Sequence, residues 1–194
     1  MIKIFIKNSY ILYLITKETN FALKIIKKEL KNSVFFYFDY LFFKKLIKKK
    51  LISVFVVKKK NKVSAIISVV IPENFLMLKY NIFLFFLCNP HKLILNIFSI
   101  LKNSLRDSSS FFNNKYLHLL HLVIFKNYFK NISLKKKDEI INIFFKKILK
   151  FFNAKTLFLC YEIGNLKAKK FYKRNNFLVH DHNNNTIFLK KKFR

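Results

Sequence analysis

Side chains able to handle protons are scarce in this chain: five histidines and nine acidic residues among 194. His118 and His121 stand three apart in an apolar run, Tyr116-Leu-His118-Leu-Leu-His121-Leu-Val-Ile124. An imidazole exchanges protons near neutrality, so either ring is a candidate acceptor. In an unbroken strand that spacing sends them to opposite faces, so at most one reaches a shared site. A histidine simply packed in a sheet is the plainer account of each. Glu73, after Pro72, is an isolated carboxylate. His180-Asp181-His182 puts two imidazoles on one strand face, but zinc takes three or four ligands and no third is evident; a surface hairpin explains them better, and no metal is expected. Cys88 and Cys160 sit in apolar, strand-like runs and read as buried thiols in a reducing compartment. No GxxxxGK loop, GxSxG elbow or paired-cysteine motif points to other enzymology.

The elements that must position these residues follow from periodicity. Residues 1–6 alternate as a strand. Residues 18–30 place Phe21, Leu23, Ile25, Ile26 and Leu30 near helical spacing, with Thr19 or Asn20 as cap. A second helix covers 37–48, with Leu41, Phe42 and Leu46 inward. A hairpin follows, 51–57 and 63–71 about a polar turn at 58–62, and Pro72 ends it. Residues 75–110 are the least legible: an apolar run, a helix start at Asn89-Pro90, then Leu93, Leu95, Ile97, Ile100 and Leu101 at helical spacing, closed by three serines. A helix there packs on the domain or lies against a membrane surface, packing being the plainer reading.

Beyond residue 115 the order is regular. Residues 116–125 read as a buried strand, 127–133 as a turn and 134–152 as a long helix. In that helix Ile141, Phe144, Phe145, Ile148, Leu149 and Phe152 form a stripe, while Lys135, Lys136, Asp138 and Lys146 face water. A short buried strand at 156–161, a helix at 166–174 and a closing hairpin at 177–188 complete the chain. Strand, helix, strand implies parallel pairing through a right-handed crossover.

Behind the strand at 156–161 stands Asn165-Leu-Lys-Ala168-Lys-Lys-Phe171-Tyr172-Lys-Arg-Asn-Asn176-Phe177. By itself this is an amphipathic helix with Ala168, Phe171 and Tyr172 toward the core. Position by position it also resembles Asn-x-x-Ala-x-x-Phe-Tyr-x-x-x-Gly-Phe of the Gcn5-related N-acetyltransferases. Asn176 replaces the glycine, a mild change, since asparagine is the best other residue for a left-handed helix end. The resemblance implies an α/β (α+β) fold: a central mixed, mostly antiparallel sheet with one parallel strand pair, helices on both faces. It implies one domain over 1–194, with a helical insertion around 75–112.

Acetyl-CoA is the cofactor so implied, and transfer from its thioester leaves a thiolate that must be protonated. The resemblance assigns that proton to Tyr172, and sets Asn165 and Ala168 beside the cofactor arm. Val123, Ile124 and Phe125 would offer backbone contacts to the arm, their N–H groups polarising the thioester carbonyl. Lys130, Asn131, Ile132 and Ser133 fall where the resemblance places the pyrophosphate loop, Arg-x-x-Gly-x-Gly, but depart from it, with Asn131 and Ser133 at the glycine positions. Lys126 and Lys130 compensate by charge, whereas the single glycine, Gly164, lies elsewhere. The family's base sits near the cofactor strand; Glu73, His118 and His121 are the candidates.

Composition bounds the rest. Hydrophobic residues make up 53%, enough for a packed core, yet there are 26 Phe, one Gly and a net charge of +30. That charge reads either as attraction to polyanions or as drift in an AT-rich genome, since Phe, Asn and Lys rise together while Arg falls to Arg106, Arg174 and Arg194. A binder selected for phosphate contacts would keep arginine forks, which favours drift and no specific nucleic acid. The start lacks a cleavage site, and the run 75–88 is too short to span a bilayer, so a cytosolic protein is expected, with peripheral membrane contact as the remaining option. The expected function is acetyl transfer to a primary amine of a small molecule, an amino sugar being one class used by relatives of this length, by a monomer or homodimer. The alternatives are a decayed member of the fold without turnover and a basic module for nucleic acid or membrane surfaces.

Overall fold

A computed structural model of the chain describes residues 2–7, 9–16, 20–29, 39–89, 116–125, 132–182 and 184–193. Its strands are β1 (Ile2–Lys7), β2 (Tyr10–Leu14), β3 (Ser53–Lys59), β4 (Lys62–Val70), β5 (Tyr116–Ile124), β6 (Thr156–Glu162), β7 (Leu178–His182) and β8 (Thr186–Lys192). They make one sheet in the order β1-β2-β3-β4-β5-β6-β8-β7. All neighbours pair antiparallel except β5 and β6, which are parallel. The helices are α1 (Asn20–Glu29), α2 (Tyr40–Lys48), α3 (Phe75–Leu87), α4 (Leu134–Phe151) and α5 (Leu166–Arg174).

The sheet divides two cores. On one face α4 and α5 pack over Phe55, Val57, Ile67, Leu117, Leu119 and Leu157; on the other α1, α2 and α3 pack over Val54, Val56, Ile66, Val70 and Val123. Central strands are therefore buried on both sides, which explains the unbroken β-branched runs of β3 and β4. The stripe expected on α4 is the centre of the first core: Ile141, Phe144, Phe145, Ile148 and Leu149 are buried. Each such side chain stabilises the fold by roughly 1.5–3 kcal/mol.

Several expectations are corrected. β2 was not foreseen; it pairs with both β1 and β3. The hairpin between β3 and β4 turns on two residues, Lys60 and Asn61, both at positive φ (47° and 60°), as a tight hairpin twisted with its strands demands. Of the three residues expected inward on α2, Leu46 is buried and Phe42 partly so, but Leu41 is exposed, and Phe43 and Ile47 are buried as well. Asp138 does not face water: it is buried against α5, its carboxylate 2.9 Å from Arg174 Nε. Both cysteines are exposed, since Cys88 caps the end of α3 and Cys160 lies where β6 has left its neighbour. The apolar run after Asn74 forms α3, while the helix expected over Leu93–Leu101 lies outside the described residues.

Helix ends show how a chain with one glycine closes its turns. α2, α4 and α5 each stop in a left-handed residue, Lys50 (φ 57°), Asn153 (φ 52°) and Asn176 (φ 56°). After α5, Phe177 N–H donates to the Tyr172 carbonyl and Asn176 N–H to the Lys173 carbonyl, both at 3.1 Å. This paired closure satisfies two of the helix's last carbonyls. Asn176 thus occupies the conformation its glycine counterpart favours.

Candidate active site

The parallel pair opens into a cleft. β5 and β6 are in register only from Tyr116 with Thr156 to Leu119 with Leu159. Beyond that level β5 runs on to Ile124 against β4, and β6 to Glu162 against β8. The two strands part like the arms of a V.

A bulge marks the vertex. Opposite Ser68 and Val69 of β4 the register skips from His121 to Leu119, leaving Leu120 out of the ladder. The slip changes the phase of β5. Leu117, Leu119, Leu122 and Ile124 turn to the α4–α5 core, and Leu120 and Val123 to the other. His118 and His121 therefore share the α1–α3 face, which corrects the opposite faces expected of an unbroken strand. Both rings are held neutral. Burial, helped by Lys79, pulls His118 down to about 4, and burial pulls His121 down to about 3.

Backbone direction decides which amides face the gap. Phe125 N–H donates to the Ser64 carbonyl at 3.0 Å, so it points at β4 and not at the cleft. Successive N–H groups of a strand alternate sides. Hence Ile124 and Leu122 aim theirs between the arms, whereas Val123 aims back at β4. Of the trio expected to contact a cofactor arm, Ile124 is so placed, and Leu122 is added.

α5 closes the cleft from the first core. Tyr172 is 8% exposed, its ring 6.0 Å from Tyr161 of β6 and 5.2 Å from both Phe171 and Phe177. Burial, and then Cys160, hold its hydroxyl well above the usual tyrosine range, so it stays protonated. Asn165 caps α5, its Oδ1 accepting from Ala168 N–H at 3.0 Å, and Ala168 is packed against the core. That bond leaves the amide nitrogen of Asn165 as a donor at the mouth of the V.

The open end collects positive charge. α4 and α5 both start just past the carboxyl ends of the parallel strands, so two helix N-termini flank the mouth. Ser133 caps α4 by accepting from Lys136 N–H at 3.3 Å. Neither first turn carries an acidic residue. Lysines stand there instead, Lys135 and Lys136 on α4 and Lys167 and Lys169 on α5. Cations at helix N-termini oppose the helix dipole, and an anion resolves the conflict. Sequence reading had set Lys135 and Lys136 aside as a solvated face; the signal for them was three lysines in the first turn after a serine cap, Ser133-Leu134-Lys135-Lys136-Lys137. Ile132 and Ser133 lie at this mouth, while Lys126, Lys130 and Asn131 are outside the described residues.

The remaining candidates lie apart. Glu73 is exposed on the Pro72–Asn74 turn, three residues past Val70, at the closed end of the V. His180 and His182 sit on the exposed edge strand β7, where a second bulge lifts His180 out of register; its ring meets Phe158 edge-on at 5.3 Å.

An eight-stranded mixed sheet, one parallel pair splayed past a bulge and a helix starting at each arm form a specific arrangement. It recurs along nearly the whole length of solved acetyltransferases. The Campylobacter jejuni N-acetyltransferase PseH in complex with acetyl coenzyme A superposes with a TM-score of 0.56 at 16% identity, over 94% of this chain and 98% of that one. The fold is that of the Gcn5-related N-acetyltransferases. Within that fold, PaiA N-acetyltransferase of Thermoplasma acidophilum in complex with coenzyme A gives 0.51 at 13% identity, over 94% and 99% of the two chains. Spermidine N-acetyltransferase of Vibrio cholerae gives 0.54 at 11%, over 96% and 95%. No protein-family model matches the sequence, and no curated protein does. The likeness is therefore one of fold, at 11–16% identity over nearly the whole chain.

Proposed function

We propose that this protein transfers an acetyl group from acetyl-CoA to a primary amine of a small molecule. The splay of β5 from β6 past Leu119 and Leu159, with Tyr172 beneath it and helix N-termini at its mouth, carries this reading. Bound there, acetyl-CoA supplies an activated acyl group. Lys135, Lys136, Ile132, Ser133 and the N-terminus of α4 hold its phosphates, joined by Lys130 and Asn131. Asn165 and Ala168 flank its arm, and the N–H groups of Leu122 and Ile124 polarise the thioester carbonyl.

Proton traffic then runs across the sheet. Tyr172, on the α4–α5 side, would hold the proton that the leaving sulfur needs, since its hydroxyl stays protonated. On the other side, His121 or His118 would pass the proton of the attacking amine on to water and not keep it, since burial holds both rings neutral. His121 is the better placed, since it lies past the last β5–β6 pair. Glu73, on the turn just after Val70, whose strand partner is His118, is the third candidate for this proton. The net charge of +30 disfavours polycationic acceptors and favours a neutral or anionic carrier of the amine, such as an amino sugar.

Calorimetric titration of acetyl-CoA at about 0.15 M salt, where exposed charges are largely screened, tests the site. A polyanion of similar charge without the pantetheine arm is the control. Saturable 1:1 binding that the control does not reproduce is the expected result. A folded sample that binds both alike, or neither, refutes the reading and leaves a decayed member of the fold.

A further inference from the structure

α3 is apolar around most of its circumference, broken by Lys79 and Asn81, and among the described residues only half of it is covered. Leu78, Phe85 and Phe86 enter the second core. Leu76, Met77, Tyr80, Phe83, Leu84 and Leu87 do not: they are between 38% and 58% exposed. At 3.6 residues per turn these six fall within an arc of about 120°, with no charge inside it. Lone apolar side chains on a surface are ordinary, but a continuous helical face of them marks a contact site.

Lysines rim one end of this face. The Asn74 side chain, at the start of α3, donates to the Lys50 carbonyl at 2.9 Å. It thereby ties the helix to Lys48, Lys49 and Lys50, all exposed. α2 lies alongside, Phe42 stacking on Phe85 at 4.4 Å. It contributes exposed Lys44 and Lys45 and the 74%-exposed Leu41. Lys79 borders the arc.

We infer that the α2–α3 face seats the protein on an anionic lipid surface. α3 lies in the plane of the interface with its six apolar side chains among the acyl chains, and the lysines of α2 and Lys50 meet lipid phosphates. Charge decides among occupants. A second copy brings another +30 to the contact and is repelled, whereas an anionic bilayer is attracted. Nucleic acid satisfies the lysines but leaves six apolar side chains in water. An apolar helix of 13 residues is too short to span a bilayer and suits its surface. The inference is independent of the acetyltransferase reading.

The absence of tryptophan offers a clean probe. Phe83→Trp in the full chain is mixed with phosphatidylserine-containing vesicles and with phosphatidylcholine vesicles, and Leu178→Trp, on exposed β7, serves as control. The expected result is cosedimentation with the anionic vesicles, a blue shift and quenching by brominated lipid for Trp at 83, and neither for Trp at 178. Leu76→Ser with Leu87→Ser should weaken binding about tenfold, the loss of two apolar side chains from the interface. Binding without a blue shift at 83, equal shifts at both sites, or binding to duplex DNA but not to vesicles would each overturn the proposal. Cosedimentation of the wild type keeps the test valid if a variant fails to fold.

Discussion

Replacing Tyr172 by phenylalanine separates chemistry from folding more sharply than any other single change. The ring makes three aromatic contacts, with Tyr161, Phe171 and Phe177, and phenylalanine keeps all of them. Only the hydroxyl goes. It is not one of the buried polar atoms that go without a partner among the described residues, so its loss relieves no unpaired group and creates none. Tyr172→Phe should therefore leave stability within about 1 kcal/mol of the wild type, at most roughly 2–4 °C in Tm for a chain this size. Turnover should fall at least about tenfold, since general acids contribute roughly 10²–10⁴. Acetyl-CoA affinity should stay, because the hydroxyl acts on the sulfur only as it leaves. Thermal melts, calorimetry and thiol release with an accepted amine measure the three quantities on one sample. An unchanged rate removes Tyr172 from the proton-donor role, and a destabilised variant shows that the hydroxyl has a partner. Because burial raises the tyrosine's titration well above its ordinary value, no alkaline fall in rate from Tyr172 should appear below about pH 10.

Lys135→Glu with Lys136→Glu should weaken acetyl-CoA binding by about tenfold or more, while Lys24→Glu with Lys28→Glu on α1, an equal charge change on the other face of the sheet from α4 and α5, should leave it within about twofold once salt screens long-range attraction. Equal losses from the two pairs would mean that net charge and not the helix mouth binds the cofactor. His118 and His121 titrate near 6.5 when unfolded but only at about 4 and about 3 in the fold. The unfolded chain thus binds protons that the folded one refuses. Stability should be full above about pH 6.5 and decline as pH falls toward 4, by up to about 1.4 kcal/mol per unit for each ring. Urea midpoints between pH 7 and 5 measure the slope, which His121→Leu should reduce. Lys50→Gly should stabilise the fold by about 1 kcal/mol and Asn176→Ala destabilise it by about as much, read in the same titrations; a Lys50→Gly variant no more stable than wild type would show that the left-handed turn carries no strain.

What could be read in the residues was whatever repeats. The α4 stripe, the two parallel strands and the α5 motif each rest on several side chains at fixed spacing, so single exceptions did not hide them. β2 escaped because five residues, Tyr10 to Leu14, show no alternation and lie between one strand and a helix. The bulge at Leu120 escaped because nothing in a run of leucines announces an extra residue. It reversed the reading of His118 and His121, since one inserted residue changes the face of every side chain beyond it. The Asp138–Arg174 pair joins positions 36 apart and appears only once α4 and α5 are laid side by side. Lys135 and Lys136 were hidden by abundance: in a lysine-rich chain a cluster at a helix start looks like any other.

The near absence of glycine sorts the places where the fold needs conformation from those where it needs room. Helix ends and tight hairpins need a left-handed backbone, and Lys50, Lys60, Asn61, Asn153 and Asn176 all supply it. The strain there is modest and local, and a large core outweighs it. The one remaining glycine does nothing of the kind: Gly164 has an ordinary φ, and a Cβ placed on it would meet no atom within 4 Å. Glycine was therefore not retained for conformation anywhere among the described residues. A phosphate loop differs, because a Cβ there competes with the ligand itself and not with the chain. Ser133 meets that constraint partly, since its side chain turns inward to cap α4 and leaves the helix N-terminus open. Charge can then replace close approach, and the lysines in the first turns of α4 and α5 are where this chain carries it. On this account the cofactor is held more by Coulomb attraction and less by backbone hydrogen bonds than in glycine-rich loops. Its affinity should accordingly fall more steeply with salt, a slope that titrations at two ionic strengths would read directly.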